Sequence, residues 1–181
     1  MKAGILTGIL TWAGLFGANL FGQMNVLLDA AAAVNVQAPM RKVEVKAGQT
    51  EASKAIPGAA GGVYLEIPQG AGKPPDVQGE AAFEFVVDKP GTYYLWARVW
   101  WLDGCGNSLG MSLNGEKEFT FGQDATYKQW HWVKAPARLS QLNLQAGKQT
   151  LKVANREDGV AIDQILITRN KRYVPVGIEG R

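Results

Sequence analysis

The chain has almost none of the side chains on which metal and nucleophile chemistry depends. Its 181 residues include one cysteine, Cys105, and one histidine, His131. A single cysteine makes no internal disulfide, so no stapled framework exists, and a single histidine excludes a multi-histidine metal site. Charge is sparse as well, since 19 Lys and Arg against 16 Asp and Glu give a formal net charge of +3. The basic residues are scattered, with Arg41-Lys42 and Lys171-Arg172 the densest pairs, and that dispersion does not imply nucleic acid. Helical periodicity is missing beyond residue 41. What remains is 46% hydrophobic, with 22 glycines and 8 prolines. This composition excludes disorder of the whole chain and suits one turn-rich β domain with something short attached.

One stretch without charge, Ala3 to Leu28, exceeds the roughly 20 apolar residues that span a bilayer as a helix. It predicts a transmembrane helix, with Asn25 to Val36 continuing it out of the bilayer toward a break at Pro39. Residues 1–36 would then be the helix and its extension, and 37–41 a linker. A signal peptide is the competing reading, with Met1-Lys2 as its charged start and Ala30 to Ala33 as the small residues of a cleavage site. Gly4 with Gly8, Ala13 with Gly17, and Ala18 with Gly22 form three small-xxx-small pairs, which suit close packing against another membrane helix. Lys2 on the leading flank predicts a single pass of the inner (cytoplasmic) membrane, with the N-terminus cytoplasmic and the rest periplasmic or extracellular.

Beyond the linker, turn residues recur at short intervals and separate β-prone runs: Val43–Lys46, Val63–Ile67, Ala82–Val87, Thr92–Trp101, Ser108–Leu113, Glu118–Phe121, Gln129–Val133, Gln141–Leu144, Gln149–Ala154 and Ala161–Thr168. Many short strands without helical crossovers predict an antiparallel sandwich or jelly roll. In Thr92–Trp101 the odd positions Tyr93, Leu95, Ala97, Val99 and Trp101 are apolar and form the expected core face. The even positions Tyr94, Trp96, Arg98 and Trp100 set a cation among aromatic rings, either as a stacking platform for sugars or as a second face where Arg98 lies across indoles. His131 shares a strand face with Gln129 and Val133 and is expected to be a partly exposed strand residue. Glu157 and Asp158 are adjacent, which suits an acidic turn closing a hairpin, with Gly159 at positive φ, better than carboxylates flanking a substrate. Cys105 has no neighbouring base to activate it.

The phrases PGTYYLWARV (Pro90–Val99), GNSLGMSLNG (Gly106–Gly115), WHWV (Trp130–Val133) and AGKQTLKVANREDGVAIDQILIT (Ala146–Thr168) resemble, in order and spacing, the jelly-roll carbohydrate-binding modules of families six and thirty-five. The resemblance covers about residues 42–176 and leaves 177–181 as a tail. It implies a structural calcium held by an acid-x-acid pair on the first strand and an aspartate on the last. Glu44 and Asp163 match two of those positions, but Lys46 stands at the third, and its ammonium disfavours the metal and would pair with one of the acids instead. The resemblance also implies a sugar site of aromatics and an Asn on loops at one end of the sandwich. Trp100, Trp101, Asp103 and Asn107, around the loop WLDGCGNS, match it best.

The expected architecture is therefore mainly β, an antiparallel jelly-roll sandwich behind one transmembrane helix. The leading expectation is a non-enzymatic accessory subunit that docks its helix into the integral proteins of a larger membrane complex. In it, Tyr94, Trp96, Arg98, Trp100, Trp101, Asp103 and Asn107 would serve as partner or glycan contacts. A photosynthetic or respiratory setting is the general class in which such small subunits occur; no residue pattern for haem or chlorophyll is recognisable. The alternative is a membrane-tethered module that binds polysaccharide. A further alternative is a pilin-like filament subunit, although Ile5 stands where an acid would be expected.

Overall fold

The computed structural model describes residues 25–46, 55–71, 77–137 and 141–180. The expected membrane helix, with Gly4, Gly8, Ala13, Gly17, Ala18 and Gly22, lies outside the described residues. Among the described residues, no helix is long and apolar enough to cross a membrane.

Among the described residues, twelve strands build two antiparallel sheets: β1 (Asn25–Asp29), β2 (Val34–Gln37), β3 (Arg41–Glu44), β4 (Val63–Ile67), β5 (Glu80–Val87), β6 (Gly91–Trp101), β7 (Ser108–Leu113), β8 (Phe119–Gly122), β9 (His131–Lys134), β10 (Leu142–Leu144), β11 (Gly147–Ala154) and β12 (Val160–Thr168). The first sheet runs β10-β6-β12-β4-β3, with β9 also on β6 and β1 also on β12. The second runs β2-β5-β11-β7-β8. Most consecutive strands fall in opposite sheets, so most connections cross the sandwich. The segment Asn155–Gly159 is one such crossing rather than a hairpin turn, because β11 and β12 belong to different sheets. Gly159 does take a positive φ of 73°.

The segment from Asn25 to Val36 is strand where a helix extension is expected from its alanines. Its alternation decides the outcome. Val26 and Leu28 enter the core, and all five residues of β1 pair with β12, from Asn25 opposite Thr168 to Asp29 opposite Gln164. A short 3-10 turn, Ala30–Ala32, then carries the chain to the second sheet. Ala30 and Ala33 pack in the core, so tertiary burial overrides the helix propensity of alanine. The expected linker, 37–41, is likewise part of the domain, for it ends β2, buries Met40 at 3% exposure and begins β3. The sandwich therefore includes residues from Asn25 onward rather than from 42.

The core lies between the sheets. Tyr93, Leu95, Ala97, Val99 and Trp101 all point into it from β6, as the alternation of that strand requires. They meet Phe83 and Phe85 from β5, Met111 from β7, Phe121 from β8 and Leu151 from β11. Packing is close at the rim near Trp101. There Gly122 has φ of 105°, and a Cβ added to it would lie 2.9 Å from Trp101 Cζ2 and overlap the carbonyl oxygen of Asn107. Gly122→Ala is expected to cost about 2 kcal/mol or more in urea unfolding, from left-handed strain and overpacking together.

Candidate functional site

All nine residues of β12 are buried, although only one face of the strand touches the core. The other face is covered from outside the sheet by two pieces of chain. The segment 55–62 lies over one half. The C-terminal residues 173–180 lie over the other, where Gly177 O accepts the Trp132 indole N–H at 3.0 Å and Gln164 exchanges hydrogen bonds with the Glu179 backbone. Residues 177–180 of the expected tail are thus docked on the domain, with Gly180 against Leu27.

Under the first cover lies the charge of β6. Arg98 is 7% exposed and Asp163 fully buried. Arg98 Nη1 donates to Asp163 Oδ2, which also accepts the Ala60 N–H at 2.6 Å. Trp130 stacks its ring 5.2 Å from the guanidinium carbon, so the cation does lie across an indole, though not one from its own strand. Burial pushes the Asp163 carboxyl up from 3.8 to about 6, against the downward pull of the Ala60 N–H and Arg98; Asp29 nearby adds to the rise. Between those two values the folded state holds the proton that the unfolded chain releases. This contribution to stability is therefore full below about pH 4, falls as pH rises and is level above about pH 6. Urea midpoints across that range should show the slope in the wild-type protein and lose it in Asp163→Asn.

A calcium ion does not fit here. Asp163 Oδ2 is already shared by a guanidinium and an amide, Oδ1 is buried without a hydrogen-bond partner, and the Arg98 cation beside them repels a second positive ion. Glu44, the other expected ligand, is exposed on β3 opposite Val63, with β4 between it and β12. Among the described residues, no three His, Cys, Asp or Glu side chains gather in metal-ligating range. The ion-pair partner of Asp163 is Arg98, whereas the expected pairing was of Lys46 with Asp163 or Glu44.

Where the first cover ends, the outer face opens into a cleft of about 430 Å³. Trp100, Glu66 and Arg41 line it; they fall on one cross-strand row, in which buried Ala161 pairs with both Trp100 and Glu66, and Glu66 pairs with Arg41. Ile56 walls one side, and Pro68, Gln69 and Leu102 wall the other. Arg41 holds Glu66 Oε1 through Nε at 2.7 Å and Nη2 at 2.6 Å. The guanidinium remains 62% exposed and the carboxylate 13%, so this pair adds little to stability and presents both donors and an acceptor to the cleft. The loops behind it are cross-tied: Leu102 N–H donates to Gly159 O at 3.0 Å, Gly159 N–H to Ile67 O at 2.9 Å, and Gly70 N–H to the Asp158 carboxylate.

Of the residues singled out from sequence, Trp100 alone lines this cleft. Trp101 is fully buried and meets His131 edge to face at 6.3 Å, a correction that follows from the strand's alternation. Asp103 caps its own loop, its Oδ1 accepting the Cys105 N–H at 2.8 Å and the Gly106 N–H at 3.1 Å. Asn107 is a brace between loops, giving its N–H to Glu157 Oε2 and its amide to Asp124 O. Tyr94 and Trp96 sit half-buried on the far half of the face, with Lys134 Nζ 5.2 and 5.4 Å from their rings. His131 is the partly exposed strand residue expected: it opens β9 opposite Val99, and its ring meets Asp124 at 3.0 Å and Gln129 O at 3.0 Å. Arg41, Glu66 and Gln69 escape the sequence reading because 25 or more residues separate Arg41 from the others. The one available signal is the alternation of VYLEI, which puts Tyr64 and Glu66 on one face. The outer face of the second sheet offers no aromatic ring among the described residues; β5 and β11 present Glu84, Val86, Lys148 and Thr150 there.

No protein-family model matches the chain, and no curated protein matches it in sequence. Solved structures do match in shape. A family 35 carbohydrate-binding module from Clostridium thermocellum aligns with 79% of the chain and 96% of its own at a TM-score of 0.55 and 17% identity. The fold is that of a carbohydrate-binding module. The C-terminal CBM6 of LamC, a laminarinase from Zobellia galactanivorans, aligns with 80% of the chain and 99% of its own at 0.52 and 14%. The GH26-CBM35 β-(1,4)-mannanase of Podospora anserina aligns with 83% of the chain at 0.55 and 19%. The chain spans 29% of that enzyme's length. The carbohydrate-binding-module fold expected from the sequence resemblance is thus present, and identities this low speak for fold alone.

Proposed function

We propose that the sandwich is a non-catalytic module that binds a glycan in the cleft beside Trp100. The observation that carries this reading is the cleft itself: an indole face, one Arg–Glu pair and one amide side chain converge on a volume within the range of small-ligand sites. A pyranose ring presents C–H groups on one face and vicinal hydroxyls at its edge. The indole suits the first; the paired guanidinium and carboxylate suit the second, one as donor and one as acceptor. Glycoside hydrolysis ordinarily needs two carboxyl groups flanking the bond, and Glu66 is the one carboxylate among the residues lining the cleft, which supports a binding role over an enzymatic one.

The fold comparisons favour this reading over the accessory-subunit expectation, whose membrane-complex partners, like the inner-membrane location and the pilin-like alternative, rest on residues 1–24 outside the described residues. Affinity electrophoresis through gels containing β-1,4-mannan or laminarin tests the proposal, the panel being set by the enzymes whose modules share the fold. Retardation by at least one polysaccharide is the expected result. Unretarded migration in both, and in a wider panel of plant and microbial polysaccharides, removes the reading.

A further inference from the structure

The segment 55–62 is held down at four successive points by four side chains from different elements beneath it. Tyr64 on β4 accepts the Ile56 N–H at 3.0 Å. Trp130, just before β9, donates its indole N–H to Pro57 O at 2.8 Å. Arg98 on β6 reaches Gly58 O with both Nη1 and Nη2 at 3.4 Å. Asp163 on β12, at the irregularity where pairing with β6 shifts between Ile162 and Gln164, accepts the Ala60 N–H. Ile56, at the start of this run, is a wall of the cleft.

The two inner points depend on each other. A buried carboxylate needs a counter-cation, and the Ala60 N–H alone does not supply one. The guanidinium fork supplies it and has donors left for the Gly58 carbonyl, so one cation touches a carboxylate oxygen on the sheet and a carbonyl oxygen on the loop. Those are the oxygen ligands that a hard metal ion would bridge. Here the cation is covalently part of β6, and Trp130 covers its outer face.

We infer that Arg98 is a built-in substitute for a structural metal ion: it neutralises Asp163 and pins the 55–62 segment without any bound cation. Through that segment it positions Ile56 against the cleft. The link to ligand binding rests on the glycan reading; the substitution itself does not. Arg98 is thus a positioning residue.

Two measurements without any glycan test the inference. Thermal unfolding of the wild-type protein is expected to have the same midpoint in millimolar calcium and in EDTA. In Arg98→Lys, which keeps the charge and loses the fork, the Ala60 amide is expected to exchange with solvent about tenfold faster or more, the scale of one lost charge-assisted hydrogen bond. The amides of Leu95 and Ile165 in the sheet should keep their protection, since a merely structural defect would loosen these too. A calcium-dependent rise of several degrees in the wild-type midpoint overturns the inference, and so does unchanged Ala60 protection in Arg98→Lys. If that variant does not fold, the calcium comparison on the wild-type protein still decides. Should the glycan panel fail, both readouts stand unaffected.

Discussion

Arg98→Met is expected to destabilise the domain by about 3–5 kcal/mol, the usual cost of removing one partner from a buried ion pair. The loss exceeds that of the side chain's contacts because Asp163 stays behind, fully buried, with no cation to balance it. The double substitution Arg98→Met with Asp163→Leu is expected to recover most of that stability, since it removes both charges and leaves apolar volume under the 55–62 segment. Urea unfolding of the wild-type protein, the two single variants and the double variant closes the cycle. Strict additivity of the single losses would mean that the two groups do not depend on each other, and the account of this face would be wrong.

Trp100→Ala is expected to weaken glycan binding at least tenfold, about 1.4 kcal/mol, because it removes the one aromatic face in the cleft. Its cost to folding should be smaller, since the ring is half-buried and packs against the small outer cluster of Ala59, Tyr64 and Ala161 rather than in the main core. Trp101→Ala makes the informative contrast. That ring is fully buried in the main core, and its removal is expected to cost about 3–5 kcal/mol of stability. Any binding lost in Trp101→Ala would report unfolding, so Trp100 is the residue on which the site can be tested. Binding that survives Trp100→Ala in a folded protein would place the ligand elsewhere.

Most of the sandwich was legible because strands write their burial in single steps. The alternation of TYYLWARVWW separates core from outer face, and the punctuation by glycine and proline sets the strand ends to within a few residues. Two things escaped for the same physical reason, which is that distant pieces of chain decide them. Asn25–Val36 carries helix-forming alanines, and only the pairing of β1 with β12 makes it strand. The acidic run Arg156–Gly159 has the composition of a hairpin turn, yet it crosses between sheets, with Arg156 donating to Ser108 on β7 and bonding Glu157 at 2.5 Å.

The site was less legible than the fold. Trp100 and Arg98 were visible as one aromatic and cationic face, but their roles divide at a boundary no sequence shows, the edge of the 55–62 cover. Beneath it, Arg98 becomes internal structure; just beyond it, Trp100 faces a cleft. Arg41 and Glu66 meet there only because β3 and β4 pair in the register that sets them opposite each other. Asp103 and Asn107 have the residue types of a sugar site and serve instead as turn and brace, a use to which short polar side chains in glycine-rich loops are equally suited.

The account stands most directly on where a glycan touches the protein. Amide and indole NMR shifts should be followed while a soluble oligosaccharide from whichever polysaccharide retards the domain is titrated in. The expected perturbations centre on the Trp100 indole N–H and the amides of Gln69, Leu102 and Gly159. Perturbations confined to Glu84, Val86, Lys148 and Thr150 on the opposite sheet, or to Tyr94 and Trp96, would contradict it.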